Sequence, residues 1–361
     1  MSVSKSIQRS PLVLLAYCLA LGHFVPSPAV AREMSSANSH QLAQADEQKA
    51  PPSLSFVSVF SSADDVGGPS HPALNRTLDI IAGPKDAEPQ LDALQSPSAV
   101  TTDSNGRVFV ADPGAKAVHI FDFVHSKYSL LDRGSDRLGV PIALAVDVQN
   151  NLYVIDERSR TILVYDSAGK FRHALGALSG GESYFESPAG IAIDTTSGHI
   201  YVCDKHRHMI IVMDDRGRLI GKAGKRGGGD RPGDFRLPTQ VVVAAGELFV
   251  LDVGNARVQI FDTALHFHRA INLSYADHHT GLAVDGQGSV YVSDPVLNRI
   301  QVFSRESRPL YTFGPGTIKA ATFGRPSALW VHAGSCLYLV DSQTNRIGLF
   351  QISGENARLC R

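Results

Sequence analysis

The sequence has almost no excess of charge of either sign: 34 Lys and Arg stand against 35 Asp and Glu in 361 residues. That balance excludes a globally basic nucleic-acid binder and a strongly acidic tail. Long apolar runs are also missing. The most continuous one, residues 12–21, is too short for a comfortable membrane span, and His23, Pro26 and Pro28 interrupt its continuation. With Lys5 and Arg9 before it and Ala29-Val30-Ala31 after it, the segment reads as a secretory signal peptide over residues 1–31. Cys18 follows Leu15-Ala16-Tyr17, but Tyr17 occupies the place where a lipobox takes a small residue. The expected product is exported, periplasmic or secreted, with no membrane span after cleavage.

Cysteine is scarce, with four in the chain. Cys203 stands inside an apolar strand and reads as a small core residue. In an oxidising compartment Cys336 and Cys360 either pair, pinning the tail to the last hairpin, or stay free, and spacing does not decide between the two. Residues 32–53 lack apolar periodicity and read as a flexible linker, and 354–361 read as a C-terminal tail.

Between them lies a repeat. Residues 290–303 read VYVSDPVLNRIQVF: an apolar run ending in Asp294, a four-residue loop, then Arg299 and a second apolar run. The same pattern begins at Val108, Leu152, Ile200, Leu248 and Leu337. Its Asp recurs as Asp112, Asp156, Asp204, Asp252, Asp294 and Asp341, at intervals of 44, 48, 48, 42 and 47 residues, a period typical of solenoids or propellers.

About fifteen residues before each Asp an inner strand opens at Pro97, Pro141, Pro188, Pro238, His279 or Pro326. Most of these strands reach an acid six positions later, as at Asp103, Asp147, Asp194 and Asp285; Ala244 and His332 take that place in the fourth and sixth units. A further short strand follows each hairpin, as at 170–175 and Pro309–Phe313. Four strands per unit and no amphipathic helix in the period predict an all-β fold, a six-bladed β-propeller of four-stranded blades over 54–353. The last unit has only three strands, and an open blade edge invites association. Leu54–Phe60, LSFVSVF, is expected to supply the missing strand, with 77–82 as the runner-up and 73–81 read as a short helix.

The hairpin with Asn298-Arg299, the proline-led inner strand and the glycine-rich connection 224–235 resemble the NHL repeat over nearly all of 97–352. Blades four to six fit best, with Arg257, Arg299 and Arg346 five residues beyond the Asp, where Ala117, Thr161 and Met209 stand in the first three. The resemblance implies a six-bladed propeller. For function it implies a range, from protein- and RNA-binding modules to lyases and lactonases of related fold.

The six Asp residues read as structural: each stands where a strand enters a tight loop, and a residue present in every blade marks the repeat, not a unique site. Departures from the pattern are the candidate sites. His278 and His279 lie at the predicted channel mouth and are the candidate catalytic or metal-ligating groups, with zinc or calcium required only if the protein is an enzyme. The lactonase-type set of channel Asp, Glu and Asn ligands is not visible. His332 is expected at the opposite end of the channel from His279.

Loop residues Lys116, Arg158, Arg160, Lys205, His206, Arg207, His208, Arg257, Arg299 and Arg346 are expected on one face as a basic rim. The triple glycine 227–229 lacks the Lys-Ser/Thr ending of a phosphate loop and reads as a blade connection. These observations predict a binding scaffold that uses the loop face for a protein or an anionic ligand, with no cofactor. Nucleic acid is not expected, since stacking aromatics are missing from the loops. The alternative is a metal-dependent lyase or lactonase-like hydrolase with its site at the channel mouth.

Overall fold

The computed structural model describes residues 53–66, 92–131, 137–177, 183–314, 323–353 and 360. The expected signal peptide, the linker before Ser53, the readings at 73–81 and 77–82, and the tail other than Cys360 lie outside the described residues.

Twenty-four strands form six four-stranded antiparallel sheets. β1 (Leu54–Phe60) comes first. Blade one is β2 (Ala99–Thr102), β3 (Val108–Asp112), β4 (Ala117–Asp122) and β5 (Lys127–Leu130). Blade two is β6 (Pro141–Val146), β7 (Leu152–Asp156), β8 (Thr161–Tyr165) and β9 (Phe171–Leu175). Blade three is β10 (Pro188–Ile193), β11 (Ile200–Asp204), β12 (Met209–Met213) and β13 (Leu219–Gly224). Blade four is β14 (Pro238–Ala244), β15 (Glu247–Asp252), β16 (Arg257–Asp262) and β17 (Phe267–Asn272). Blade five is β18 (Leu282–Val284), β19 (Val290–Asp294), β20 (Arg299–Phe303) and β21 (Pro309–Phe313). Blade six is β22 (Pro326–His332), β23 (Cys336–Asp341) and β24 (Arg346–Ile352), and β1 pairs with β24 as its fourth strand, from Leu54 opposite Ile352 to Phe60 opposite Ile347.

Burial follows position in the blade. The second strand of every blade is buried along its whole length, because other sheets cover both of its faces, and its sequence is accordingly a continuous apolar run ending in Asp. The fourth strands are the most exposed, as in β13. Core clusters form between neighbouring blades: Phe109, Val118, Val154 and Tyr165 belong to one cluster shared by blades one and two. Phe60 and Val340 join Val108 and Phe121 of blade one, so the ring is closed by packing as well as by hydrogen bonds.

The first strands of the six blades neighbour one another in a closed circle around the channel. In β6, β10, β14 and β22 the leading proline is paired and the register then skips one residue. Proline has no N–H to give the ladder, so a bulge at the strand start is where it fits. Glycine is required where the inner strands crowd. A Cβ on Gly190 would overlap the Thr239 carbonyl oxygen, and one on Gly281 would lie 2.9 Å from the Ala328 Cα.

Candidate functional site

The Asp at the end of each second strand organises one face of the molecule. Asp112 accepts hydrogen bonds from the Gln95 and Ser96 amides in the connection leading into its blade and from the Ala115 amide in its own hairpin loop. Asp341 does the same with Gly324, Arg325 and Gln343, and Thr344 adds a hydroxyl. Asp204 accepts from Glu186 and Ser187, Asp156 from Val140 and Asp252 from Arg236. All six carboxylates are buried. Hairpin loops and blade connections therefore share a face, because one carboxylate holds both. Burial pushes Asp112 and Asp341 up, but His119 and the amides around Asp112, and the amides and Thr344 around Asp341, outweigh it and hold both below the usual carboxylate value.

Each hairpin loop also needs one left-handed residue, always four beyond the Asp: Lys116, Arg160, His208, Ala256, Asn298 and Asn345, with φ between 47° and 58°. Asn298 and Asn345 are residue types that tolerate this conformation. His208 is also of a tolerant type, whereas Lys116, Arg160 and Ala256 are not favoured there.

The loop cations fall into two groups. Arg257 is 9% exposed; its guanidinium bonds Asp252 at 2.9 Å and the carbonyls of Asp230, Arg231 and Asp234, closing the glycine-rich connection over blade four. Arg299 bonds Asp294 at 3.0 Å. Arg207 lies 3.6 Å from Asp204 and 3.7 Å from Glu186, over the ring of Tyr184. His208 accepts the Leu237 amide on Nδ1. Lys116, Arg158, Arg160, His206 and Arg346 are exposed, and among the described residues no carboxylate pairs with Lys116, Arg160 or Arg346.

A residue seven beyond the Asp contributes where the sequence reading did not look. Fully buried His119 bonds Tyr128 Oη through Nδ1 and sets Nε2 3.6 Å from Asp112 Oδ2, an electrostatic contact beyond hydrogen-bond length. Gln259, at the same place in blade four, donates to Asp252 and to the Asp234 carbonyl and accepts the Gly233 amide. The signal was present in polar residues (His119, Gln259, Gln301) interrupting an apolar strand at one register.

His278 and His279 stand before β18, their ring centroids 4.0 Å apart. Asp277 accepts the His279 amide and the Tyr275 hydroxyl. Partial burial, then the charges of His278 and Arg325, push His279 below the usual histidine value. Blade five, which has His279 in place of the proline, starts its inner strand at Leu282, as blade one starts its own at Ala99 after Pro97. Ser293 and the Gln240 side chain, which accept the Gly281 and Leu282 amides, complete it. Among the described residues no three His, Cys, Asp or Glu side chains group as a metal site. Cys336 and Cys360 form a disulfide, and Cys203 is buried, which pushes its thiol up. No helix among the described residues is long and apolar enough to cross a membrane.

At the far end of the channel His332 hydrogen-bonds Thr102 Oγ1 through Nδ1 at 2.7 Å, beside a cavity of about 330 Å³.

No curated protein matches the sequence. Among solved structures, a protein of unknown function from Bacteroides thetaiotaomicron aligns with TM-score 0.58 and 15% identity, covering 84% of this chain and 76% of that one. Virginiamycin B lyase from Staphylococcus aureus aligns with TM-score 0.52 and 11% identity over 85% and 90% of the two chains. Hydrazine synthase of Kuenenia stuttgartiensis aligns with TM-score 0.51 and 15% identity over 74% and 99%. At such identities the likeness shows the fold alone. The NHL repeat model matches residues 185–213, which are the end of the connection and the first three strands of blade three. The chain thus carries a match to the NHL repeat in blade three and folds as a six-bladed β-propeller of four-stranded sheets.

Proposed function

We propose that the protein is a binding scaffold whose loop face captures an anionic partner, in the first place an acidic protein surface, with Lys116, Arg158, Arg160 and Arg346 as contact cations. One observation carries the reading. Lys116 and Arg160 occupy the left-handed loop position at a cost of about 1 kcal/mol or more each, although Asn serves in blades five and six. Neither cation is offset by a carboxylate among the described residues. Strain kept at exposed loop tips is a mark of functional sites. The rigid blades beneath hold these tips in place, which lowers the ordering cost of binding.

Export remains part of the proposal, and the Cys336–Cys360 disulfide supports an oxidising compartment. A metal site at His278 and His279 is not adopted, because the nearby Arg325 charge opposes a second cation there.

The test is binding of fluorescent poly-glutamate to the full chain. Binding should weaken with added salt, and Lys116→Glu, Arg160→Glu and Arg346→Glu together should lower affinity about tenfold or more. Unchanged affinity in the triple variant, with wild-type melting, would overturn the reading.

A further inference from the structure

The far end of the channel has the make-up of a small-molecule site. Its cavity of about 330 Å³ is walled by the ends of the inner strands, with Val146, Ile191, Ile193, Val243 and Trp330 among its lining residues. A smaller cavity of about 70 Å³, with Val100, Leu144 and Leu329 among its lining residues, shares Ile191, Val241, Val242 and Trp330 with it. A concave, mainly aliphatic wall with a few converging polar groups is the usual composition of a ligand pocket.

The polar groups are fixed by one another. Trp330 Nε1 donates to Thr102 Oγ1 at 2.8 Å, and Thr102 Oγ1 meets His332 Nδ1 at 2.7 Å. The buried Thr102 hydroxyl has one hydrogen and no other acceptor among the described residues, so it donates to Nδ1. The imidazole then carries its hydrogen on Nε2, which has no protein partner among the described residues. Burial holds the ring below the ordinary histidine value, so at neutral pH it is an uncharged donor.

Two acids line the rim, Asp103 and Asp147, each capping the turn at the end of its inner strand. Arg107 neutralises Asp103, whereas Asp147 is held only by neutral donors: the Gln149 and Asn151 amides, the Asn151 side chain and Tyr153 Oη. Blade six departs from this acidic pattern, placing His332 where an acid would stand.

The geometry points to a binding site here for a small, neutral, largely apolar molecule with one hydrogen-bond acceptor, such as a ketone, ester or amide carbonyl, held by His332 Nε2–H against Trp330. Aliphatic walls supply the affinity, the single donor orients the acceptor, and the acidic rim disfavours carboxylates. The site is at the opposite end of the channel from His279 and does not depend on the loop-face reading.

Trp330 is the sole tryptophan and reports directly on occupancy. The probe is prodan, a neutral naphthyl ketone, titrated into the full chain. We expect saturable one-to-one quenching of Trp330 with a blue shift of the probe, and about tenfold weaker binding of the corresponding naphthoate. His332→Leu should weaken prodan about fivefold when titrated well below its melting temperature, which itself falls because the buried Thr102 hydroxyl loses its acceptor. Val148→Phe, at a rim position 58% exposed and so tolerant of a larger side chain, should also weaken it by narrowing the mouth while Trp330 stays the sole tryptophan. Absence of saturable quenching, equal binding of ketone and naphthoate, or unchanged affinity in both variants would overturn the proposal.

Discussion

Phe60→Ala tests how the ring is closed. Phe60 is 4% exposed at the end of β1, with its ring 4.9 Å from that of Phe121 and 5.0 Å from that of Phe123, both of blade one. It also belongs to the core cluster that contains Tyr338 and Ile347 of blade six. The side chain thus fills the seam between the first and last blades from a strand that only the N-terminal segment supplies. Truncating a buried Phe costs about 3–5 kcal/mol, since the transfer energy is lost and the cavity is only partly filled. That is a large share of the roughly 5–15 kcal/mol that holds a domain folded. At about 2–4 °C per kcal/mol for a domain of this size, the melting temperature should fall by about 6–20 °C.

Val59→Ala is the matched control. Val59 neighbours Phe60 on the same strand, pairs with Gly348 and is 45% exposed. Its truncation removes a β-branched residue from the same ladder without opening a cavity, and should cost about 0.5 kcal/mol or less. Melting of both variants followed by circular dichroism separates seam packing from strand propensity. Equal shifts in the two variants would show that β1 contributes hydrogen bonds alone and that the seam argument is wrong.

Two other outcomes follow from the loop face. Arg257→Ala should destabilise by about 3 kcal/mol in chemical denaturation, because it leaves Asp252 buried and releases three carbonyls, while Arg346→Ala should change stability by about 0.5 kcal/mol or less. Asp112 and Asp341 sit below their unfolded value of 3.8, so the unfolded chain takes up their protons first. Their contribution is complete above that value and is lost as pH falls through the folded values, and Asp112→Asn should flatten the decline of melting temperature below about pH 4.

The fold could be read from the chain because it is written six times. Any one apolar run before Asp294 is ambiguous, but six runs at nearly constant period, each ending in a buried acid, have few solutions. The closing strand was legible for a different reason: the last unit lacked a fourth strand, and Leu54–Phe60 was an unclaimed β-rich segment at the N-terminus, preferred over 77–82. Side-chain roles were less visible. Arg257, Arg299 and Arg346 occupy one register and look equivalent, yet Arg257 is enclosed by the connection 230–234, Arg299 pairs with its Asp, and Arg346 is exposed. What separates them is the conformation of a loop from elsewhere in the chain, and no local pattern encodes that. The His119 contact was hidden similarly: a histidine in an apolar strand reveals its partner only when the hairpin register is known.

The same contrast explains why the two ends of the channel differ in what they can hold. At the loop face five of the six second-strand Asp residues accept amides from the connection into their blade, and Asp112, Asp156 and Asp341 accept hairpin amides as well, so replacing one would loosen a blade junction. At the other end the inner-strand acids accept hydrogen bonds from within their own blade, as Asp103 does from Asn105 and Arg107 and Asp285 from Gln287, Ser289 and Tyr291. A cap of this kind can be given up locally, and Ala244 and His332 stand where two of the six have been. Loss of an acid there removes a charge from the channel wall without unfastening neighbouring blades. The far mouth could therefore lose an acid at single positions and gain one neutral donor while the fold stayed intact, a freedom that the Asp-bound face does not have.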